Sequence, residues 1–389
     1  MAPNDVYKVR LESIAPGGDA FGRLEGKPVF IEGGAPNETV LCRILKENKT
    51  WARAELLEII EPSPVRVDAA CAFYGKCGGC NLQHVDYNAQ LAAKTAILKD
   101  SFKRIGGAYP PQPEIFPCAP WEYRNRMQFH CFRQTRGDDP GFGLKGRRSG
   151  EIIAVSDCPV AEGEIREILR KGTKALPLPP EKDRFTVFSY GKTLLSEGGV
   201  QRGKISLLEK EVIIDAGVFF QSNIAMLEKL ILELKKIALK AHGSGAAADL
   251  YCGVGTFAVF LREMFPAIVL AEENKKAVSL ARENLRDGTF EFFALRDSEW
   301  EKKLLRRNED TGFAVVDPPR AGLAPALAAA LAQKGPPLLA YVSCDAAALA
   351  RDSKILTSGG YKLKELKLFD FYPQTAHIES LAVFEKQGK

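Results

Sequence analysis

The stretch from Asn223 onward most limits what this chain can fold into. IAMLEKLILELKKIALKAH spaces its apolar residues as a helix does, AAADLYCGVGTF is an apolar strand running into a glycine turn, and AVFLREMF is helical again. AIVLAEE, GFAVVDPPR and LLAYVSCD have the length and composition of buried strands, with KKAVSLARENL a helix among them. Strands that alternate with helices pair in parallel, because a parallel neighbour is reached only by a crossover and the crossover is the helix. The chain therefore holds an α/β unit with a doubly wound sheet. EKKLLRRNED, residues 301–310, is expected to be the solvated face of one of its helices.

Several residues of this unit converge on one edge. In DLYCGVGTFA, Gly253 and Gly255 let the backbone pass where a Cβ would collide with a bound group. Glu272 ends the next strand, where a carboxylate can accept hydrogen bonds from ribose hydroxyls. The G-x-G-x-x-A spacing also serves a nicotinamide dinucleotide, so the turn alone leaves the cofactor open. VVDPPRAGL ends a strand in Asp317 and two prolines, which cannot extend a ladder and hold a rigid loop at the sheet's carboxyl edge. YVSCD brings Cys344 to the same rim, either as a small core residue or as a thiol presented to substrate. FDFYPQTAHIE returns His377 and Glu379, through a further strand formed by SLAVFEK. Spacing alone does not join Glu379 to Cys344.

The amino-terminal residues have a different rhythm. Short β segments separated by Gly and Pro between residues 5 and 62 predict a small closed barrel of the OB class, and EPSP marks its boundary. CAFYGKCGGC follows, with the spacing C-x5-C-x2-C. Its thiols belong to a set of nine cysteines, an odd number that argues for metal or catalytic roles over a disulfide framework. No apolar run is long enough to span a membrane and the first residues lack a secretory pattern, so a cytoplasmic protein is expected. After the cysteines, NLQHVDYNAQLAAKTAILKDSFKRIGG predicts an amphipathic helix stopped at Gly106–Gly107, and residues 115–220 are β-rich. A net charge of +5 proves no nucleic-acid partner. Its distribution says more. Lys and Arg outnumber Asp and Glu between residues 99 and 150, interleaved with Trp121, Tyr123, Phe129, Phe132 and Phe142, a mixture suited to single-stranded RNA.

In order along the chain, CAFYGKCGGC with SDCPV, WEYRNR, VFFQSN, DLYCGVGTF, VVDPPRAGL, YVSCD and FYPQTAHIE resemble the RNA 5-methyluridine (uracil-C5) methyltransferases. These enzymes use S-adenosylmethionine (SAM) on ribosomal or transfer RNA. The amino-terminal barrel is similar to the TRAM domain of one branch, and with the cysteines it points to the branch that modifies 23S rRNA. The resemblance implies a Rossmann-like SAM-dependent methyltransferase domain, an OB-like TRAM barrel and a β-rich central domain carrying a [4Fe–4S] cluster. The implied boundaries are 1–62 for the barrel, 63–80 with 108–215 for the central domain, and 81–107 with 216–389 for the methyltransferase domain.

The cluster ligands implied are Cys71, Cys77 and Cys80 with the distant Cys158. Thiolate softness suits either iron–sulfur or zinc, and the resemblance favours iron–sulfur. Radical SAM proteins use a three-then-two cysteine spacing and leave one iron open, whereas a fourth cysteine closes it, so the cluster is given a structural role. The chemistry itself asks for few groups. Uracil C5 is a poor nucleophile; a thiolate adding to C6 makes C5 an enolate carbon that can attack a methyl sulfonium, and a base must then remove the C5 proton. By resemblance Cys344 is the nucleophile and Glu379 the base. Gln221, Tyr251, Gly253, Gly255, Thr256, Glu272 and Asp297 would line the SAM site, and Asp317 would touch either the cofactor or the target base. Thr256 stands where the family often has Asn, and Cys252 is assigned to the core. Arg124, Arg126, Trp121 and Phe129 would contact RNA. A target base must leave its stack to reach the sheet rim, so an unpaired or looped uridine, presented to a monomeric enzyme, is expected. The rival readings are an iron–sulfur or NAD-linked redox enzyme and a non-catalytic RNA-binding protein.

Overall fold

The computed structural model describes residues 5–132, 141–179, 181–241, 245–296, 299–300 and 311–387. The helix expected at 301–310 lies outside the described residues.

Along VYKVRLESI alternate residues point inward, placing Val9 and Leu11 in a core, and a register shift between Leu11 and Ser13 then turns Ile14 inward as well. This strand, β1 (Val6–Ile14), is followed by β2 (Ala20–Leu24), β3 (Lys27–Ile31), β4 (Thr39–Glu47) and β5 (Ala52–Glu61). They close in the order β1-β2-β3-β5-β4, so no edge is left open.

Helix α1 (Tyr87–Ser101) starts where the Asp86 carboxylate accepts the N–H groups of Asn88 and Ala89. It ends in a widened turn, Phe102–Gly106, and a left-handed Gly107. Ile97, Leu98 and Phe102 pack with Leu349, Ala350 and Leu356 of the α/β core, far along the chain. Strand β6 (Glu114–Phe116) then pairs in parallel with a strand near the C-terminus, so these residues belong to the α/β sheet and not to the central domain expected to begin at 108.

The central sheet comprises β7 (Arg126–Phe132), β8 (Gly141–Lys145), β9 (Ile152–Ile153), β10 (Arg184–Tyr190) and β11 (Thr193–Ser196), in the order β11-β10-β7-β8-β9. Helix α2 (Gly163–Lys171) covers it through Ile165, Ile168 and Leu169. The hairpin of β12 (Arg202–Leu207) and β13 (Lys210–Asp215) lies within the span, 108–215, that the resemblance gives to this domain. Its Ile205, Leu207, Val212 and Ile214 instead join the α/β core. Asn284 fastens it there, bonding Ile213 at both its N–H and C=O while donating to the Val254 carbonyl of the glycine turn.

The α/β unit continues with α3 (Ile224–Ala238), β14 (Ala246–Leu250), α4 (Thr256–Leu261), β15 (Ile268–Ala271), α5 (Lys275–Asn284), β16 (Phe290–Phe293) and β17 (Thr311–Val316). After these come α6 (Pro325–Lys334), β18 (Leu338–Ser343), α7 (Ala346–Ser358), β19 (Tyr361–Phe369) and β20 (Glu379–Lys386). Its eight strands run in the order β16-β15-β14-β17-β18-β20-β19-β6. The five from β16 to β18 are parallel, as the alternation predicts, but β20 inserts antiparallel between β18 and β19. That insertion brings the residue before Ser380 to the strand edge reached by β18.

Candidate active site

Every residue of β17 and β18 is buried, so both strands run through the middle of the sheet and release their next residues, Asp317 and Cys344, at its carboxyl edge. β18 pairs with β20 as Leu338↔Glu385 through Ser343↔Ser380. One step further in that register lies Cys344 opposite Glu379. The juxtaposition comes from an antiparallel pairing between distant segments, which is why spacing along the chain did not reveal it. Ser380 Oγ bonds the Ser343 carbonyl at 3.2 Å and locks the register at this rung.

A cavity of about 630 Å³ opens here, lined by Cys344, Glu379, Asp317, Gln221, Tyr251, Gly253, Thr256 and Glu272. Gly255 is not part of the lining; it adopts φ +80°, and a Cβ on it would meet Ala281 of α5 and Leu285 at that helix's end, so its role is to let the turn approach the helix. Gly253, at φ +54°, has open space where a Cβ would be. Tyr251 is also left-handed, at φ 62°, which a side-chain-bearing residue adopts at some cost, and its ring meets Trp300 edge-on at 4.6 Å. Glu272 accepts the N–H groups of Gly253 at 3.1 Å and Asn274 at 2.8 Å, which aims its carboxylate back at the turn. Asp249, wholly buried beneath, accepts the Ala258 N–H through Oδ2 while its Oδ1 has no partner. Burial raises its carboxyl to about 8, helped by the charges of Asp317 and Glu272. These acceptors and the open turn fit an adenosine ribose and a sulfonium cation. Asp297 lies outside the described residues.

The reacting end is a set of acids around a thiol. Burial holds the Glu379 carboxyl well above the usual range, and the charge of Asp317 adds to this while Arg320 opposes it. Burial likewise lifts Asp317 to about 7. The Cys344 thiol is pushed up to about 12 by burial first and by the Glu379 and Asp317 charges next, with Arg320 pulling it down. Arg320 and His377, which sequence reasoning did not assign, also line the cavity and meet at 3.1 Å. The signal for Arg320 was available: it directly follows the two rim prolines.

Strand β7 explains the fate of the expected RNA contacts. Its burial alternates, so Arg126, Gln128 and His130 face outward while Met127, Phe129 and Cys131 face the central core. Arg124 and Arg126 line the cavity mouth. Phe129, by contrast, is fully buried against Phe142 and Phe185 and cannot stack on a base, which corrects the expectation for that residue. Trp121 is half-buried at the edge of the same core.

A second cleft, of about 500 Å³, is lined by Cys71, Cys77, Cys80 and Cys158, and shares Arg124 and Gln128 with the first. The cysteine loop is pinned by Cys71 N–H to Gln83 Oε1 at 3.1 Å and Gly78 N–H to the Lys145 carbonyl at 2.9 Å. Burial raises Cys80 to about 11 and Cys158 to about 12, and Arg124 opposes both shifts. Four soft thiols on one cleft beside a guanidinium have the donor chemistry of an iron–sulfur site. Among the described residues, no three His, Cys, Asp or Glu side chains are gathered tightly enough to hold a single metal ion.

Comparison with known proteins identifies the family. The tRNA (uracil-5-)-methyltransferase family matches residues 204–387, and the TRAM domain matches residues 3–57. An uncharacterized RNA methyltransferase of Treponema denticola is 32% identical, covering 97% of this chain and 98% of its own length. The 23S rRNA (uracil(1939)-C(5))-methyltransferase of Vibrio campbellii is 29% identical over 97% of this chain and 95% of its own. Among solved structures, the tRNA (uracil-54, C5)-methyltransferase of Pyrococcus abyssi, in complex with S-adenosyl-L-homocysteine, shares the fold with a TM-score of 0.72, at 22% identity over 97% of this chain and 100% of that one. The chain belongs to the SAM-dependent RNA uracil-5-methyltransferase family, in a form that carries an amino-terminal TRAM domain.

Proposed function

We propose that this protein methylates C5 of an unpaired uridine in 23S rRNA, with Cys344 as nucleophile and Glu379 as base. The observation that carries the reading is the β18–β20 register, which sets these two side chains together at the rim of the cavity that also holds the glycine turn. The 23S rRNA substrate is supported by the full-length likeness to the Vibrio campbellii enzyme, and Arg124 and Arg126 at the cavity mouth suit an RNA backbone.

Cys344, as the thiolate left once its S–H proton has passed to solvent on substrate entry, forms a bond to uracil C6, and the C5–C6 π pair moves onto C5 and O4. C5 then takes the methyl group, and the pair of the broken sulfur–methyl bond stays on the donor sulfur. Glu379, as a carboxylate, removes the C5 proton, and the C6–S bond breaks to return the thiolate. When bound, SAM supplies the methyl group on a positively charged sulfur, and that charge favours the ionised forms of Asp317 and Glu379. Glu272 receives the ribose hydroxyls, with Gln221, Tyr251 and Thr256 around the rest of the cofactor. Glu379 is almost wholly buried and Cys344 partly so, which limits water at the reacting atoms. Cys71, Cys77, Cys80 and Cys158 would hold a [4Fe–4S] cluster that supplies a rigid crosslink between the loop at 71–80 and SDCPV; the fit is their common cleft and soft donor set.

Incubation with labelled SAM and RNA from cells lacking 5-methyluridine tests the proposal, with ribosomal and transfer RNA separated. Label recovered as 5-methyluridine in the large ribosomal RNA is expected. Label confined to transfer RNA would keep the chemistry and overturn the substrate.

A further inference from the structure

Asn81 directly follows Cys80, and its side chain lies where three parts of the molecule meet. Its Nδ2 donates to the Gly17 carbonyl of the barrel at 2.7 Å, and its Oδ1 accepts the Ala376 N–H at 2.9 Å. Its own N–H, at 3.1 Å, and that of Leu82, at 2.9 Å, both donate to the Gln374 carbonyl. Gln374 is left-handed, at φ 67°, a conformation that persists in such a residue only where its surroundings enforce it. Gln90 of α1 supplies the rest, accepting the Gln374 N–H at 2.9 Å and donating to its Oε1 at 3.0 Å. On the other side the barrel turn presses in closely: a Cβ on Gly18 would lie 2.4 Å from Asn81 Nδ2. Three residues beyond Ala376 comes Glu379.

We propose that Asn81 is a positioning residue for the loop that aims Glu379, so that the barrel and the cysteine loop set the base from outside the active site. This rests on the Cys344–Glu379 reading above. The loop at 374–377 is irregular backbone, so hydrogen bonds rather than a ladder decide where it runs. Asn81 provides an acceptor and a donor pointing in opposite directions, which few side chains can do. Glu379 is the last rung of the β19–β20 ladder, opposite Phe369, so losing the bond to Ala376 loosens the loop up to that rung, and the Glu379 side chain loses its aim at the C5 proton while Cys344, on the neighbouring strand, stays in place. The consequence is selective. The covalent adduct with RNA still forms, and its release slows.

The test compares full-length wild type, Asn81→Ala, Asn81→Asp and Asn81→Ser in single turnovers with SAM and a 23S rRNA transcript. Adduct is read by gel shift, product as 5-methyluridine, and hydrogen exchange is followed in the peptide spanning 374–379. Asn81→Ala is expected to slow release by up to about 100-fold, with adduct accumulating, RNA affinity kept and exchange in that peptide raised. Asn81→Asp keeps the acceptor for Ala376 and is expected to release at close to the wild-type rate. Should Asn81→Ala not fold, Asn81→Ser, too short to reach Ala376, is expected to show the same accumulation. Unchanged release in these variants, unchanged exchange, or adduct formation and release falling together would overturn the positioning role. Wild type inactive on every RNA would instead overturn the function, which separates the two failures.

Discussion

Two clefts of this molecule are lined by partly or fully buried cysteines, yet they set those thiols in different company. Cys344 sits among acids: Glu379 and Asp317 add to burial in keeping its proton on, while Arg320 and a backbone hydrogen bond oppose them. Cys80 and Cys158 sit beside Arg124, a cation that favours the ionised form, and beside other cysteines of the set, whose charges oppose it. Burial dominates in both places and keeps all three thiols high; what differs is the fixed charge beside them. A thiol among acids is kept protonated until a substrate draws the pair of electrons away, which suits a nucleophile used once per cycle. Thiols beside a guanidinium suit permanent anionic ligands. The two settings share Arg124, so the first cavity lies alongside the second.

That contrast can be broken most sharply at Cys344. Cys344→Ala is expected to abolish methylation, a loss of at least about 10⁴-fold, while SAM affinity measured by calorimetry stays near wild type; turnover that persists would remove Cys344 from the chemistry. Next in size is Glu379→Gln, for which turnover should fall by about 10²–10⁴-fold with a covalent protein–RNA species accumulating on gels. The same carboxyls predict a pH effect. Their pKa values are raised, Asp317 to about 7, so protonation grows as pH falls and the single-turnover rate should drop below about pH 7 by up to about tenfold per unit. A rate flat across that range would mean these acids do not titrate in the working enzyme.

At the second cleft, anaerobically purified protein should contain about four irons per chain. Cys80→Ser should lose iron and its visible absorbance, whereas Cys344→Ala should keep both; equal iron in the two variants would erase the distinction between the settings. The smallest effects concern RNA. Arg124→Ala should weaken RNA binding by about tenfold with unchanged melting temperature, since it removes a cation from both cleft walls. Phe129→Ala should do the reverse, costing about 3–5 kcal/mol of stability for a fully buried ring.

These cases also mark how far the sequence could be read. The closed barrel, the parallel strands and the glycine turn rest on local alternation and turn chemistry, which one segment carries by itself. The cysteine loop was legible for the same reason, with Cys77 and Cys80 already neighbours along the chain. What local pattern cannot carry is pairing between distant segments. The β18–β20 register that joins Cys344 to Glu379 is of this kind, as are the parallel seat of β6 beside β19 and the hairpin 202–215 packed on the α/β core. Phe129 failed for a different reason. Its basic and aromatic surroundings have the composition of an RNA surface, but composition is blind to which face of a strand each residue takes, and the alternation of β7 turns Arg126 out and Phe129 in. Its even-odd position relative to Arg126 held that information.

RNA containing 5-fluorouridine tests most directly the claim that Cys344 and Glu379 act together on one uracil ring. Fluorine replaces the C5 proton and cannot be removed by a base, so the adduct stops after methyl transfer. With SAM present, mass spectrometry of the digested complex should place a methylated, fluorinated nucleotide on the peptide containing Cys344. A nucleotide attached elsewhere, or no adduct from an enzyme that methylates ordinary uridine, would contradict it.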